Sequence, residues 1–195
     1  MFKTKFKAFT IYGIPVYINL LIGLLFVFLS VEMTISIILV VLLHEMAHAF
    51  TAKKKGYNVN KIELNFYGGV AEITSHMSVK DTLIVVAAGP LTNLVLAALA
   101  FGINIFLPLS FWTEFIYINL VLFVFNILPI MPMDGGRILM SILQLFKVKS
   151  ANRITYTTSL ICSIIMFVFS IIFGQIFLAL FAAFFGYNAY TNLKK

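Results

Sequence analysis

Long apolar runs separated by short polar breaks make up most of this chain. The runs are Ile14 to Val31, Ile35 to Ala52, Thr82 to Ile105, Phe111 to Ile130, Ile154 to Phe173 and Gln175 to about Tyr190. Each is near the roughly 20 residues that a helix needs to cross the hydrocarbon of a bilayer. Between the second and third runs the period changes from helical to two. In Lys61 to Tyr67, residues Ile62, Leu64 and Phe66 share one side, as in a strand. Gly68-Gly69 can turn the chain, and Val70 to Thr74 can return beside it. From Asp134 to about Phe146 the pattern is a short amphipathic helix, preceded by Pro129 and Pro132, which prevent a continuous helix there. The expected fold is therefore an all-α polytopic membrane protein. It has about six transmembrane helices, a small β-hairpin between the second and third, and one domain over residues 1–195.

Composition agrees and narrows the class. Of the 195 residues, 62% are hydrophobic and 11% charged, and the mean hydropathy is +1.04. A soluble domain of this size does not carry so much apolar surface. The net charge of +7 could suggest nucleic acid, but the positions of the basic residues argue for membrane orientation instead. On the six-span reading, all 14 Lys and Arg fall on the side of Lys3. By the positive-inside rule that side, with both termini, is cytosolic. No nucleic-acid partner is expected. Cys162 is alone, so an internal disulfide and a cysteine metal site are excluded. The first apolar run follows a basic segment without a small-residue cleavage site, and is read as a retained anchor.

The chemistry sits at the end of the second run, in His44-Glu45-Met46-Ala47-His48. Residues four apart stack on one helix face, so His44 and His48 can share one metal ion. Glu45 lies beside the first ligand, where its carboxylate can take a proton from a metal-activated water. By itself the five-residue pattern occurs by chance. A carboxylate inside hydrocarbon, however, costs about 2.5–3.5 kcal/mol on insertion scales, so Glu45 calls for a partner or a water-filled cavity.

Catalytic zinc takes three protein ligands and leaves one position open. His76 is the remaining histidine. Glu32 and Glu114 fall on the far side of the membrane. Glu63, Glu72, Asp81 and His76 reach the pair only if their loop folds inward. Asp134 follows the fourth run on the cytosolic side, so it is the preferred third ligand, with a helix cap as the alternative role. Two imidazoles and one carboxylate point to one zinc ion per chain.

These residues carry a family resemblance. His44-Glu45-x-x-His48 with Asn126-x-x-Pro129-x-x-Pro132-x-Asp134-Gly135 resembles the site-2 protease family of intramembrane zinc metalloproteases, peptidase family M50. Gly89-Pro90-x-x-Asn93 matches as well. Tyr67-Gly68-Gly69-Val70-Ala71 is similar to the loop region of the sporulation branch, which processes a sigma factor. That branch commonly carries a C-terminal nucleotide-sensing CBS domain, which these residues lack. The resemblance implies a zinc metalloendopeptidase in a bacterial cell membrane, acting in regulated intramembrane proteolysis such as sigma-factor or anti-sigma-factor processing. His44, His48 and Asp134 would hold zinc, Glu45 would be the general base, and Asn126 would steady the oxyanion. Asn93 would touch substrate, or else make an interhelical hydrogen bond.

Peptide hydrolysis in a bilayer needs an unwound substrate, because the amides of a helix are internally bonded. The strand pair can hold an extended chain at its edge, which assigns Phe66, Gly68 and Gly69 to substrate binding; a plain connecting hairpin is the alternative. The expected partners are a transmembrane or membrane-associated protein substrate, the bilayer and a membrane-protein regulator. A haem protein is excluded, since His44 and His48 on one helix cannot take opposite faces of one haem. An ion or proton transporter using Glu45 and Asp134 would not require the histidines, and a non-catalytic client-binding relative would not require the complete motif.

Overall fold

The computed structural model describes residues 5–65, 68–74 and 76–194. The chain divides into two compact units, Met1–Phe123 and Val124–Lys195.

The first unit opens with a sheet. Strands β1 (Lys5–Ile11) and β2 (Ile14–Asn19) pair antiparallel through a turn in which Tyr12 and Gly13 have φ of 48° and 76°. Such left-handed turns match the twist of the flanking strands. Asn19 ends β2 and accepts a hydrogen bond from the Leu21 N–H at 3.0 Å, starting a 3₁₀ helix, Leu20–Leu24, that runs into the one-turn helix α1 (Leu25–Phe28). Ser30 then caps helix α2 (Val31–Lys54), accepting from the Met33 N–H at 3.1 Å. Strand β3 (Val59–Asn65) returns parallel to β2, with Val16 opposite Ile62, and β4 (Gly68–Ile73) pairs antiparallel with β3. The sheet order is β1-β2-β3-β4. Helices α3 (Val79–Phe106) and α4 (Ser110–Ile127) follow, and the unit boundary falls within α4.

The expected first span is thus corrected. Residues 14–31 build a strand, a 3₁₀ helix and one turn of α-helix rather than a membrane helix. Ile14 and Val16 are buried together with Ile62, Leu64 and Ala49 of α2. Burying each such large aliphatic side chain is worth about 1.5–3 kcal/mol. That packing needs the period of a strand, and it outweighs the helical option offered by hydropathy. The hairpin expectation also changes in detail. Gly68 and Gly69 are the first residues of β4, opposite Asn65 and Leu64, and not a turn. The fold is mostly helical with a four-stranded sheet, and is not all-α.

Glu63 links three elements of this sheet surface. It accepts from the Lys5 and Lys61 ammoniums, both at 2.6 Å, and Lys61 also reaches Glu72 at 3.2 Å. The hydrogen bonds from Lys5 and then Lys61 hold the Glu63 carboxyl below its ordinary range. A depressed carboxyl stabilises the fold above its unfolded pKa, and that contribution is lost as pH falls through the folded value. We expect Glu63→Gln to lower stability by at most about 1 kcal/mol at pH 7, because exposed pairs are weak. The gap from the parent should close on acidification below the carboxylate range. Thermal unfolding in detergent across that range checks it.

In the second unit, residues 128–133 are irregular around Pro129 and Pro132, and helix α5 (Asp134–Leu145) begins at once. A Cβ at Gly135 would run into the Ile127 and Leu128 carbonyls. One at Gly136 would lie 2.7 Å from Ile130 C and Met131 N, so the two glycines let α5 start against this bend. Helices α6 (Ala151–Ile172) and α7 (Ile176–Leu193) pack through small residues, among them Ser163, Ala182 and Ala189. Ser159 of α6 accepts from the Met131 N–H at 3.0 Å, which ties down the bend.

Among the described residues, five helices are long and apolar enough to cross a membrane: α2, α3, α4, α6 and α7.

Candidate metal centre

His44, Glu45 and His48 are all buried on α2. The two imidazole Nε2 atoms face each other at 3.1 Å. What each ring does with its other nitrogen decides the chemistry. His48 Nδ1 lies 2.8 Å from the Val85 carbonyl of α3, which can only accept, so Nδ1 carries the proton. His44 Nδ1 lies 2.5 Å from Asn93 Oδ1, also an acceptor. In the neutral rings both Nε2 atoms then present lone pairs toward each other, and a proton or a metal ion between them relieves the repulsion. Two nitrogens on one tetrahedral zinc at about 2.0–2.1 Å would be roughly 3.3 Å apart, close to the observed separation.

Helix α3 holds the rings from behind. A Cβ on Gly89 would sit 2.6 Å from His44 Cε1 and 2.5 Å from His48 Cε1, so only glycine permits this approach. Pro90 follows it and lacks an N–H, leaving the helix without one bond at this level.

Glu45 lies against β4. A Cβ on Gly69 would meet the Glu45 side chain, with Val41 Cγ1 at 2.9 Å and Glu45 Cδ at 3.0 Å. Among the described residues, β4 pairs with β3 alone, so it is the edge of the sheet beside Glu45.

In the second unit, Asp134 is the first residue of α5 and is buried. Met133 occupies the cap position, so the alternative role of Asp134 as a helix cap is not taken up. His44 and His48 offer imidazole nitrogens and Asp134 a carboxylate oxygen, side-chain types that could hold one metal ion. Two imidazoles and a buried carboxylate are a donor set suited to zinc.

The remaining expected residues fall elsewhere. His76 is exposed, and Glu63, Glu72 and Asp81 are engaged in surface ion pairs. Asn126 is half-buried on the last turn of α4. Phe66 lies outside the described residues. Asn93 is fully buried and stands behind His44. Three contributors were not foreseen: the Val85 carbonyl, the close approach at Gly89, and Asn119, whose Oδ1 accepts from Asn93 Nδ2 at 3.0 Å. The signal for Asn119 was available. It is a polar residue in an apolar helix, on the same face as Asn126 one heptad later.

The model of peptidase family M50 matches residues 32–109 and 106–173, which include all three ligand candidates. The chain belongs to peptidase family M50. Its M50 relatives include a zinc metalloprotease of Methanocaldococcus jannaschii, 35% identical over 156 residues, covering 71% of this chain and 45% of the relative. Stage IV sporulation protein FB of Bacillus subtilis is 30% identical over 132 residues, covering 65% of this chain and 46% of the relative. The chain thus spans about half the length of these two curated M50 relatives. Among solved structures, the site-2 protease from Methanocaldococcus jannaschii superposes with a TM-score of 0.71 at 27% identity. That match covers 97% of this chain and 95% of the other. Membership in M50 together with five apolar helices makes this an integral membrane protein.

Proposed function

We propose that the chain is a zinc-dependent intramembrane endopeptidase, with residues 1–195 acting as one protease domain. The observation that carries this reading is the approach of the two imidazole Nε2 atoms to 3.1 Å, in a chain of the M50 family. His44, His48 and Asp134 would hold the ion, which when bound supplies the Lewis acidity for hydrolysis of a peptide bond. Glu45 takes the proton of the attacking water and returns it to the leaving amine nitrogen. Asn126 donates its amide hydrogens to the developing oxyanion. The client chain unwinds and lies extended along the β4 edge, with Gly68 and Gly69 leaving room for its backbone. Clients are transmembrane or membrane-associated proteins, among them sigma-factor or anti-sigma-factor type regulators.

The purified protein in liposomes tests this, with a model membrane client and mass spectrometry of the products. Chelation should abolish cleavage and added zinc should restore it, and His44→Ala, His48→Ala and Asp134→Ala should each lose zinc. Cleavage that persists in all three variants would remove the proposal.

The cut falls near the cytosolic face of a bacterial cell membrane. The 1.5 Å helical rise puts His44 roughly 13 Å above Lys53, within the hydrocarbon but nearer the basic side. Both termini are cytosolic in this reading. Lys5 and Lys61 bind one carboxylate, which supports a common side for the N-terminus and the β3 region. In a Cys162→Ser background, cysteine at position 114 should react with external reagent and cysteine at 194 only after permeabilisation. External labelling at 194 would reverse the assignment.

A further inference from the structure

The histidine ligand His44 is backed by a chain of three hydrogen bonds that ends on a backbone carbonyl. Asn119 Nδ2 donates to the Phe115 carbonyl at 2.9 Å. Asn93 Nδ2 donates to Asn119 Oδ1 at 3.0 Å. Asn93 Oδ1 lies 2.5 Å from His44 Nδ1. Asn93 and Asn119 are both 0% exposed.

The direction of this chain follows from its last member. A carbonyl can only accept, so the Phe115 oxygen selects the amide nitrogen of Asn119. The Asn119 oxygen then faces Asn93, and this selects the Asn93 nitrogen. The Asn93 oxygen is left toward His44, whose Nδ1 must carry the proton. Nε2 then has its lone pair for a metal. An amide flipped at Asn93 would present N–H to Nδ1, move the ring proton to Nε2 and block the ligand atom. Nothing in Asn93 itself prevents the flip, because its two ends are nearly the same shape.

We infer that Asn119 is a positioning residue of the metal centre: acting through Asn93, it fixes the tautomer in which His44 can bind zinc. The inference rests on the zinc reading of the site. It also moves Asn93 from substrate binding to the support of a ligand. Such outer partners of metal-bound histidine set ring orientation, and their loss typically weakens metal binding about 10–100-fold.

The test is zinc affinity in detergent, by competition with a chelating dye, for the parent, Asn119→Ala, Asn93→Asp and Asn119→Ala/Asn93→Asp. Asn119→Ala should bind zinc about 10–100-fold more weakly than the parent. A carboxylate at position 93 accepts from Nδ1 through either oxygen and needs no orienting partner. The double variant should therefore regain the affinity of Asn93→Asp alone, an outcome that a loss of packing at position 119 cannot produce. Parent-like affinity in Asn119→Ala, or a double variant as weak as Asn119→Ala, would overturn the inference. Should Asn119→Ala not fold, nitrogen NMR of the metal-free, histidine-labelled parent decides. The inference requires the proton of His44 on Nδ1, and a proton on Nε2 refutes it. A parent that binds no zinc removes the zinc reading itself, and the inference with it.

Discussion

Glu45→Gln should bind zinc as the parent does and yet cut its client at least about 10²-fold, and up to about 10⁴-fold, more slowly. The two halves of this result have separate causes. A helix advances about 100° per residue, so Glu45 does not share the face that brings His44 and His48 together. It stands outside the group of three side chains that could hold the ion. Gln has the shape of Glu and fits the same space beneath Gly69, where a Cβ would come within 3.0 Å of the carboxyl carbon. What is lost is basicity alone, which is the property that the proposed hydrolytic step uses. Zinc content, client capture and cleavage rate in liposomes should be measured on one preparation. Cleavage at the parent rate would remove Glu45 from proton transfer and favour the transporter reading.

Gly89→Ala should go further and abolish zinc binding, although it touches no ligand chemically. The added methyl has nowhere to go. It would lie 2.6 Å from His44 Cε1 and 2.5 Å from His48 Cε1, and the rings cannot retreat, because their Nδ1 atoms are tied to Asn93 and Val85 on the same helix α3. Overpacking of this kind costs about 1–3 kcal/mol, which a protein of ordinary stability survives. The cost is met by displacing α3, and with it the rings that are tied to it. A displacement near 1 Å can cost about 10² in rate even without loss of metal. The expected result is a folded, monodisperse protein without stoichiometric zinc and without detectable cleavage. Parent zinc content in this variant would show that α3 yields freely, and that the glycine is only a kink.

The helices were legible where hydrophobicity and chemistry are local. Helix α2 with its motif, the bend at Pro129 and Pro132, and the start of α5 at Asp134 can all be read from neighbouring residues. What escaped the sequence is non-local. Ile14, Val16 and Ile18 have the period of a strand, but their run is also apolar and long, and the partner that decides the matter, β3, lies far downstream. Gly68-Gly69 reads as a turn because glycine pairs favour turns. Its actual reason is the side chain of Glu45 beneath β4, which no local pattern encodes. The need for glycine at position 89 likewise comes from the His44 and His48 rings of α2, which no local pattern on α3 encodes. Asn93 was visible as a polar residue in an apolar helix, but its partners His44 and Asn119 come from two other helices.

The parallel pairing of β2 with β3 bears on how the protein is made. Asn19 and Asn65, at the ends of the two strands, are 46 residues apart, and all of α2 lies between them. At about 5–20 residues per second of synthesis, β2 leaves the ribosome several seconds before its neighbour exists. During that interval the helix with the candidate metal ligands must be inserted, while the β1–β2 hairpin waits with an unpaired edge and an apolar face. Sheet closure is thus a late event in biogenesis. It brings β4, and Gly69 with it, against Glu45 only after α2 is in the bilayer. On the proposed mechanism, the nascent chain until then carries its general base on the membrane helix but lacks the strand that would hold a client beside it, so immature copies would be unarmed.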